Sequence, residues 1–215
     1  MPMALQKQSL VDMIYSRLRK DIITLQYPFG SKLSVAALQS ELGVSCTPIR
    51  EAINRLQQEG LVKYETNVGA HVLTLTRHDV VEIQQLAMTL HTAAIRLAME
   101  NGDRKAILAG LEKNLRRLCG AAAVAEEVLS INQFIGTFYF NSGNRRLDAS
   151  MLSIQGQQLL LRYLYASRVF RSAEDREKFE AMYAAAREGR VEDICAALES
   201  YTDHMTAVLM EALPG

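Results

Sequence analysis

SVAALQSELGVSCTPIREAINRLQQEG, residues 34–60, reads as two short helices joined by a tight turn. Val35, Leu38 and Leu42 recur at helical spacing, so residues 34–42 form a short amphipathic helix. Ser34 is a good N-cap, because its hydroxyl can accept a bond from a free backbone N–H of the first turn. Gly43 stands where a helix end needs a residue tolerant of positive φ. Val44 reaches back to the apolar face. Ser45 or Thr47 caps the next helix, and Pro48 falls in its first turn, where its missing N–H costs little. Ile49, Ala52, Ile53 and Leu56 share one stripe, while Thr47, Arg50, Glu51, Asn54 and Arg55 fall outside it. A helix–turn–helix needs this division, with one face in a small core and the other free for base edges and phosphates.

The free face has DNA-reading chemistry. Arg50 lies near the N-terminal end of the second helix, and a guanidinium there can bond guanine O6 and N7 together. Ser45 and Thr47 suit phosphate oxygens, and Asn54, one turn on, suits adenine or the backbone. Arg55 is a further candidate DNA contact. Residues 61–65 and 70–75 carry strand-like residues around the turn Thr66-Asn-Val-Gly69, which predicts a hairpin beside the second helix. Upstream, Leu10, Ile14, Leu18, Ile22 and Leu25 predict a first helix, ended by Tyr27-Pro-Phe-Gly30. Lys32 follows in a loop that can face phosphate, and Ser34 is a further candidate DNA contact.

These residues resemble the winged helix–turn–helix of the GntR family of bacterial transcription regulators. The resemblance rests on Ile14-Tyr-Ser-Arg-Leu-Arg19, Pro28-Phe-Gly30 with Lys32-Leu-Ser34, Leu42-Gly-Val-Ser45, Thr47-Pro-Ile-Arg-Glu-Ala52, Leu56, Glu59-Gly-Leu61 and Gly69-Ala70. It implies DNA contacts at Thr47 and Arg50 and a wing glycine at Gly69. The family usually has arginine where this chain has Cys46, and a basic wing tip where it has Val68. Two basic contacts are thus missing, which implies a changed DNA target.

Residues 77–215 read as almost wholly helical. A capping-box variant, Thr76-Arg-His-Asp79, opens the first helix, and Asn101-Gly102 stops it. Asp103 caps a second. A third runs over 126–141, a fourth over 144–170, a fifth from Ser172 to near Gly189, and a sixth over 191–213. The expected fold is mainly α: a winged helix–turn–helix over 1–76, then an antiparallel bundle of six or so helices over 77–215. The bundle resembles the effector-binding (FCD) domain of the FadR-like branch of the GntR family, through Phe134 with Ser142-Gly-Asn144, the Gly189 joint, and the helix holding Tyr201 and His204. That resemblance implies a divalent metal on one aspartate and three histidines, helping to bind a carboxylate. The aspartate position falls at Ile131 and the histidine positions at Ile135, Phe179 and Tyr201, none a good ligand. No metal and no cofactor is therefore expected. Ile131, Ile135, Phe138, Arg162, Phe179 and Tyr201 are instead expected to line a greasier effector pocket.

Charge and cysteine usage agree with this reading. Lysine and arginine total 24 and so do aspartate and glutamate, but residues 1–77 hold nine basic against six acidic side chains. The small basic excess thus sits with the DNA-facing half, and pairing of two chains would double the phosphate contacts. Cys46, Cys119 and Cys195 are odd in number and far apart, as reduced thiols rather than a disulfide framework. No export signal, membrane span or enzyme motif is present. The expected protein is a cytoplasmic, homodimeric regulator that is not an enzyme. It binds a pseudo-palindromic double-stranded DNA operator, and a small-molecule effector in the bundle shifts DNA affinity. Two other readings fit the residues: a helical adaptor whose winged half contacts protein, and a metal-dependent carboxylate sensor.

Overall fold

The computed structural model describes residues 9–65 and 68–213. The chain divides into two compact units between Thr74 and Leu75.

The first unit begins with α1 (Leu10–Ile23), capped by a reciprocal Ser9–Asp12 box. α2 (Val35–Leu42) starts on Ser34, whose hydroxyl accepts the Ala37 N–H, and stops at Gly43 in the left-handed conformation (φ 66°). α3 (Cys46–Gln58) follows, with Ile49, Ala52, Ile53 and Leu56 buried as one stripe. That stripe packs on α1 and α2, whose Ile14, Leu18, Ile22 and Leu38 are also buried. β1 (Val62–Glu65) and β2 (Gly69–Val72) pair antiparallel, Val62 opposite Val72 and Glu65 opposite Gly69. The strands are shorter than the sequence pattern implied. Beyond Val72 only the Leu73 N–H still bonds back, to the Leu61 carbonyl. Thr66 and Asn67, part of the expected turn, lie outside the described residues. Lys32 is not in a bare loop, because it bridges to His71 on the free side of β2.

One buried ion pair closes this unit. Glu59, 7% exposed, accepts both the Arg19 Nε–H (2.7 and 2.9 Å) and the Tyr15 hydroxyl (2.8 Å). The end of α3 is thereby tied to two successive turns of α1.

The second unit holds α4 (Arg77–Asn101), α5 (Arg104–Cys119), α6 (Val124–Asn141), α7 (Arg145–Leu152), α8 (Gln155–Val169), α9 (Ala173–Glu188) and α10 (Val191–Ala212). Thr76, Asp103, Asn144 and Ser172 each cap a helix start with a side chain. α4 packs against α6 and α10, α5 against α6, and α9 against α10. The helix expected over 144–170 is two helices. At the break the Ser153 and Ile154 N–H groups bond three residues back, and the Ser153 hydroxyl donates to the Ser150 carbonyl (2.7 Å). These tighter bonds end the α-helical ladder, and the chain turns where Ile154 is buried.

Gly102 shows how tightly the α4–α5 corner is built. A β-carbon there would lie 2.5 Å from the Ala98 carbonyl oxygen and 2.8 Å from that of Asn141. Neither backbone atom can swing aside as a side chain can. Gly102→Ala is expected to cost about 1–3 kcal/mol, read as a lower urea midpoint. An unchanged midpoint would contradict this packing.

Candidate nucleic-acid interface and ligand cavity

α3 presents Thr47, Arg50, Glu51, Asn54 and Arg55 as exposed residues opposite its buried stripe. Arg50 and Asn54 face an open concavity of about 520 Å³, walled on its other side by Lys32, Tyr64, Val68 and Gly69. Ile53, Leu33 and Ala70 line it from the core side. The Lys32 side chain reaches the turn end of the hairpin, its Cε 3.8 Å from where a Gly69 β-carbon would stand. Gly69 has φ 105°, which a side chain would strain, so the strand start depends on glycine there. The Ser45 hydroxyl makes no cap bond, so it is left for an outside acceptor or donor. The Ser34 hydroxyl, by contrast, is used in capping α2.

Arg55 departs from expectation. Its guanidinium pairs with Asp12 at 2.6 Å and sits 4.2 Å from the centre of the Tyr15 ring. The arc of α3 that carries it faces α1, and its charge is already met there. Tyr64 is the residue that sequence reasoning missed. It is 63% exposed on β1 and lines the concavity with Arg50. A large exposed aromatic in a short hairpin was the available signal.

In the second unit, the four positions matched to metal ligands hold Ile131, Ile135, Phe179 and Tyr201, all at most 3% exposed. None offers a carboxylate or imidazole, so they do not fit a metal of that kind. Among the described residues no three His, Cys, Asp or Glu side chains stand together as a metal set. His204 has a carboxylate partner. Its Nδ1 is 3.1 Å from Asp175 Oδ1 and 3.1 Å from the Tyr165 hydroxyl.

Most of the expected pocket residues fill the interior. Phe134 meets Phe179 edge-on with centroids 5.2 Å apart, and Phe179 meets Tyr201 at 5.0 Å. Phe138 is 1% exposed beside them. Aromatic rings in edge contact leave no ligand space at those positions. Of the six residues, Ile135 alone lines a cavity of about 170 Å³ in this unit, together with His91, Asn132, Tyr139, Asp148 and Met151. Arg162 lies directly behind that wall, 2% exposed. Its Nη1 donates to Asn132 Oδ1 (3.0 Å) and its Nη2 to His91 Nε2 (3.2 Å). His91 Nδ1 is 2.9 Å from the Tyr139 hydroxyl.

Burial, helped by the neighbouring Arg162, lowers the His91 pKa from 6.5 to about 3. The unfolded chain takes up this proton near 6.5, whereas the folded chain does so only near 3. The stability tied to neutral His91 is therefore complete above pH 6.5 and is lost as pH falls towards 3, at up to about 1.4 kcal/mol per pH unit. Between pH 6.5 and 5 the parent is expected to lose about 1–2 kcal/mol more than His91→Gln, which cannot titrate. Parallel stability profiles for the two proteins would contradict this.

Comparison with known proteins adds three findings. The model of the gntR family of bacterial regulatory proteins matches residues 10–72, and that of the FCD domain matches residues 82–204. The chain is 26% identical to YdhC, an HTH-type transcriptional regulator of Bacillus subtilis (strain 168), over 92% of this chain and 91% of YdhC. McbR, an HTH-type transcriptional regulator of Escherichia coli (strain K12), is 27% identical over 70% of this chain and 69% of McbR. The McbR structure has a TM-score of 0.71 at 24% identity, covering 95% of this chain and 98% of that one. A GntR transcriptional regulator structure from Rhodococcus sp. RHA1 has a TM-score of 0.78 at 20% identity, covering 95% and 99%. At these identities the structural likeness is one of fold.

Proposed function

Because the chain belongs to the gntR family of bacterial regulatory proteins and carries an FCD domain, we propose that this transcription regulator reads DNA with α3 and the hairpin, and that a small molecule in the helical unit adjusts that reading. The observation that carries the DNA half is the concavity holding Arg50, Asn54 and Lys32 together, with the apolar side of α3 wholly buried. Residues 1–76 form the DNA-binding domain in this proposal and residues 77–215 the effector-binding and pairing domain. Arg50 reads a guanine edge, and Asn54 an adenine edge or the backbone. Lys32, Ser45, Thr47 and the Gly69 backbone meet phosphates, and Ser34 acts by capping α2. Arg55 is left out, since Asp12 and Tyr15 hold it.

Two copies pair and place their α3 helices in successive major grooves of a pseudo-palindrome, about one turn apart or slightly less. Phe140, 89% exposed beside a groove lined by Gly110, Gly136 and Thr137 on α5 and α6, supports pairing through the helical units. The effector acts by binding one relative placement of the two DNA heads more tightly than another. Such a regulator works in the cytoplasm, where the DNA is. No helix among the described residues is long and apolar enough to cross a membrane.

Fluorescence anisotropy on duplex DNA at several salt concentrations tests this. Log affinity is expected to fall linearly with log salt, by about 0.9 per phosphate neutralised. Retention that ignores salt would favour a protein-contacting adaptor.

A further inference from the structure

DNA reading leaves two groups in the helical unit without a purpose. Arg162 is 98% buried and charged, yet its partners are the neutral Asn132 and His91, and its Nε has none. A buried charge without an opposite charge is costly to maintain. Asp148 is half-buried, and its Oδ1 lies out of solvent with no hydrogen-bond donor. No ion pair joins Asp148 to Arg162 among the described residues. Asp148, His91 and Asn132 all line the same cavity, with Arg162 behind the last two.

The hydrogen bonds give the cavity wall a direction. A guanidinium only donates, so His91 Nε2 must accept from Arg162. The neutral ring then carries its proton on Nδ1 and donates to the Tyr139 oxygen. That leaves the Tyr139 O–H free to donate, and Tyr139 lines the cavity. Arg162 likewise holds the Asn132 carbonyl oxygen, which leaves the Asn132 amide N–H₂ as a donor on the same wall. Two donors backed by a buried positive charge form a subsite for an anionic oxygen. Asp148 supplies the opposite need, an acceptor for a cation. Ile135, Met151 and Leu152 add apolar surface, and Gly136 and Gln155 make up the rest of the lining.

Resting on the reading that the helical unit binds a small molecule, we infer that this cavity binds a small zwitterion, an α-amino acid with an aliphatic or thioether side chain. Its carboxylate meets Tyr139 and Asn132, its ammonium meets Asp148, and its side chain packs on Ile135, Met151 and Leu152. A simple carboxylate would answer Arg162 but set a second negative charge near Asp148. A simple amine would leave Arg162 unanswered. The volume of about 170 Å³ lies below the roughly 300–1,000 Å³ of pockets for drug-sized ligands, which restricts the ligand to this size class.

Titration calorimetry of the full chain without DNA tests the assignment. The probes are L-leucine and L-methionine, with 4-methylpentanoate and 3-methylbutylamine as relatives that each keep one charge. Saturable binding of at least one of the two amino acids is expected, with both single-charge relatives weaker by about tenfold or more. Asp148→Asn should erase the preference for L-leucine over 4-methylpentanoate without weakening the latter. Tyr139→Phe should weaken both acids. Absence of binding by both amino acids at millimolar concentration overturns the inference. So does 4-methylpentanoate binding as tightly as L-leucine, or a preference that survives Asp148→Asn. If an amino acid binds but leaves DNA affinity unchanged, the inference stands and the ligand-responsive reading falls. DNA binding with no amino-acid binding overturns the inference and leaves the DNA-reading proposal standing.

Discussion

Arg50→Ala is expected to weaken binding to a specific operator by about 1–3 kcal/mol per half-site, hence about 2–6 kcal/mol when two chains bind together. The side chain is exposed, on the first half of α3, and makes no ion pair among the described residues. Its removal leaves the α3 core stripe of Ile49, Ala52, Ile53 and Leu56 intact, so stability should stay within about 0.5 kcal/mol. The loss should also be selective. Affinity for unrelated duplex DNA should change little, because base-edge contacts specify while phosphate contacts position. Lys32→Ala should behave oppositely, weakening all sequences alike and lowering the salt slope by about one per chain. Anisotropy titrations on specific and scrambled duplexes separate the two patterns. Equal losses on both duplexes for Arg50→Ala would assign Arg50 to phosphate instead.

Glu59→Ala carries the second large effect, through stability. It removes the carboxylate that accepts from both Arg19 and Tyr15. Arg19, 22% exposed at its side chain, would keep a largely buried charge with no partner. Breaking such a pair from one side costs about 3–5 kcal/mol, and the residual exposure of Arg19 places the expectation at the lower end. The cost falls on the contact between α1 and the end of α3, so the first unit should loosen before the second. Hydrogen exchange on the full chain should show faster exchange in Leu10–Ile23 and Cys46–Gln58 with little change in Phe134 or Phe138. Uniform acceleration across both units, or none, would contradict this. Glu59→Gln, which can still accept the Tyr15 hydroxyl, should lose less.

The readable parts of the fold were those written locally. The α3 stripe, the Ser34 cap, Gly43 and the Thr76–Asp79 box each depend on residues within one or two turns, and each is present. The hairpin was harder, since its extent depends on pairing. Residues 73–75 keep a strand-like pattern but have no partner strand. The break between α7 and α8 was hidden because Ser153 and Gly156 are individually tolerated in helices, while leucines continue on both sides. Arg55 lies outside the buried arc by spacing, and only the placement of α1 reveals Asp12 and Tyr15 beside it. The cavity of the helical unit was least legible. An aromatic residue on a helix looks the same whether it lines a pocket or fills a core, and Phe134, Phe138, Phe179 and Tyr201 fill it. The Arg162–His91–Tyr139 chain joins three helices through residues far apart in sequence, so spacing carries no trace of it.

Selection of fragments from a bacterial genomic library by the purified full chain tests the central claim most directly. The account predicts enrichment of one pseudo-palindromic motif, its half-site centres about ten base pairs apart or slightly fewer, with enrichment lost in Arg50→Ala. Recovery of fragments sharing no motif, or the same motif recovered by Arg50→Ala, would contradict it.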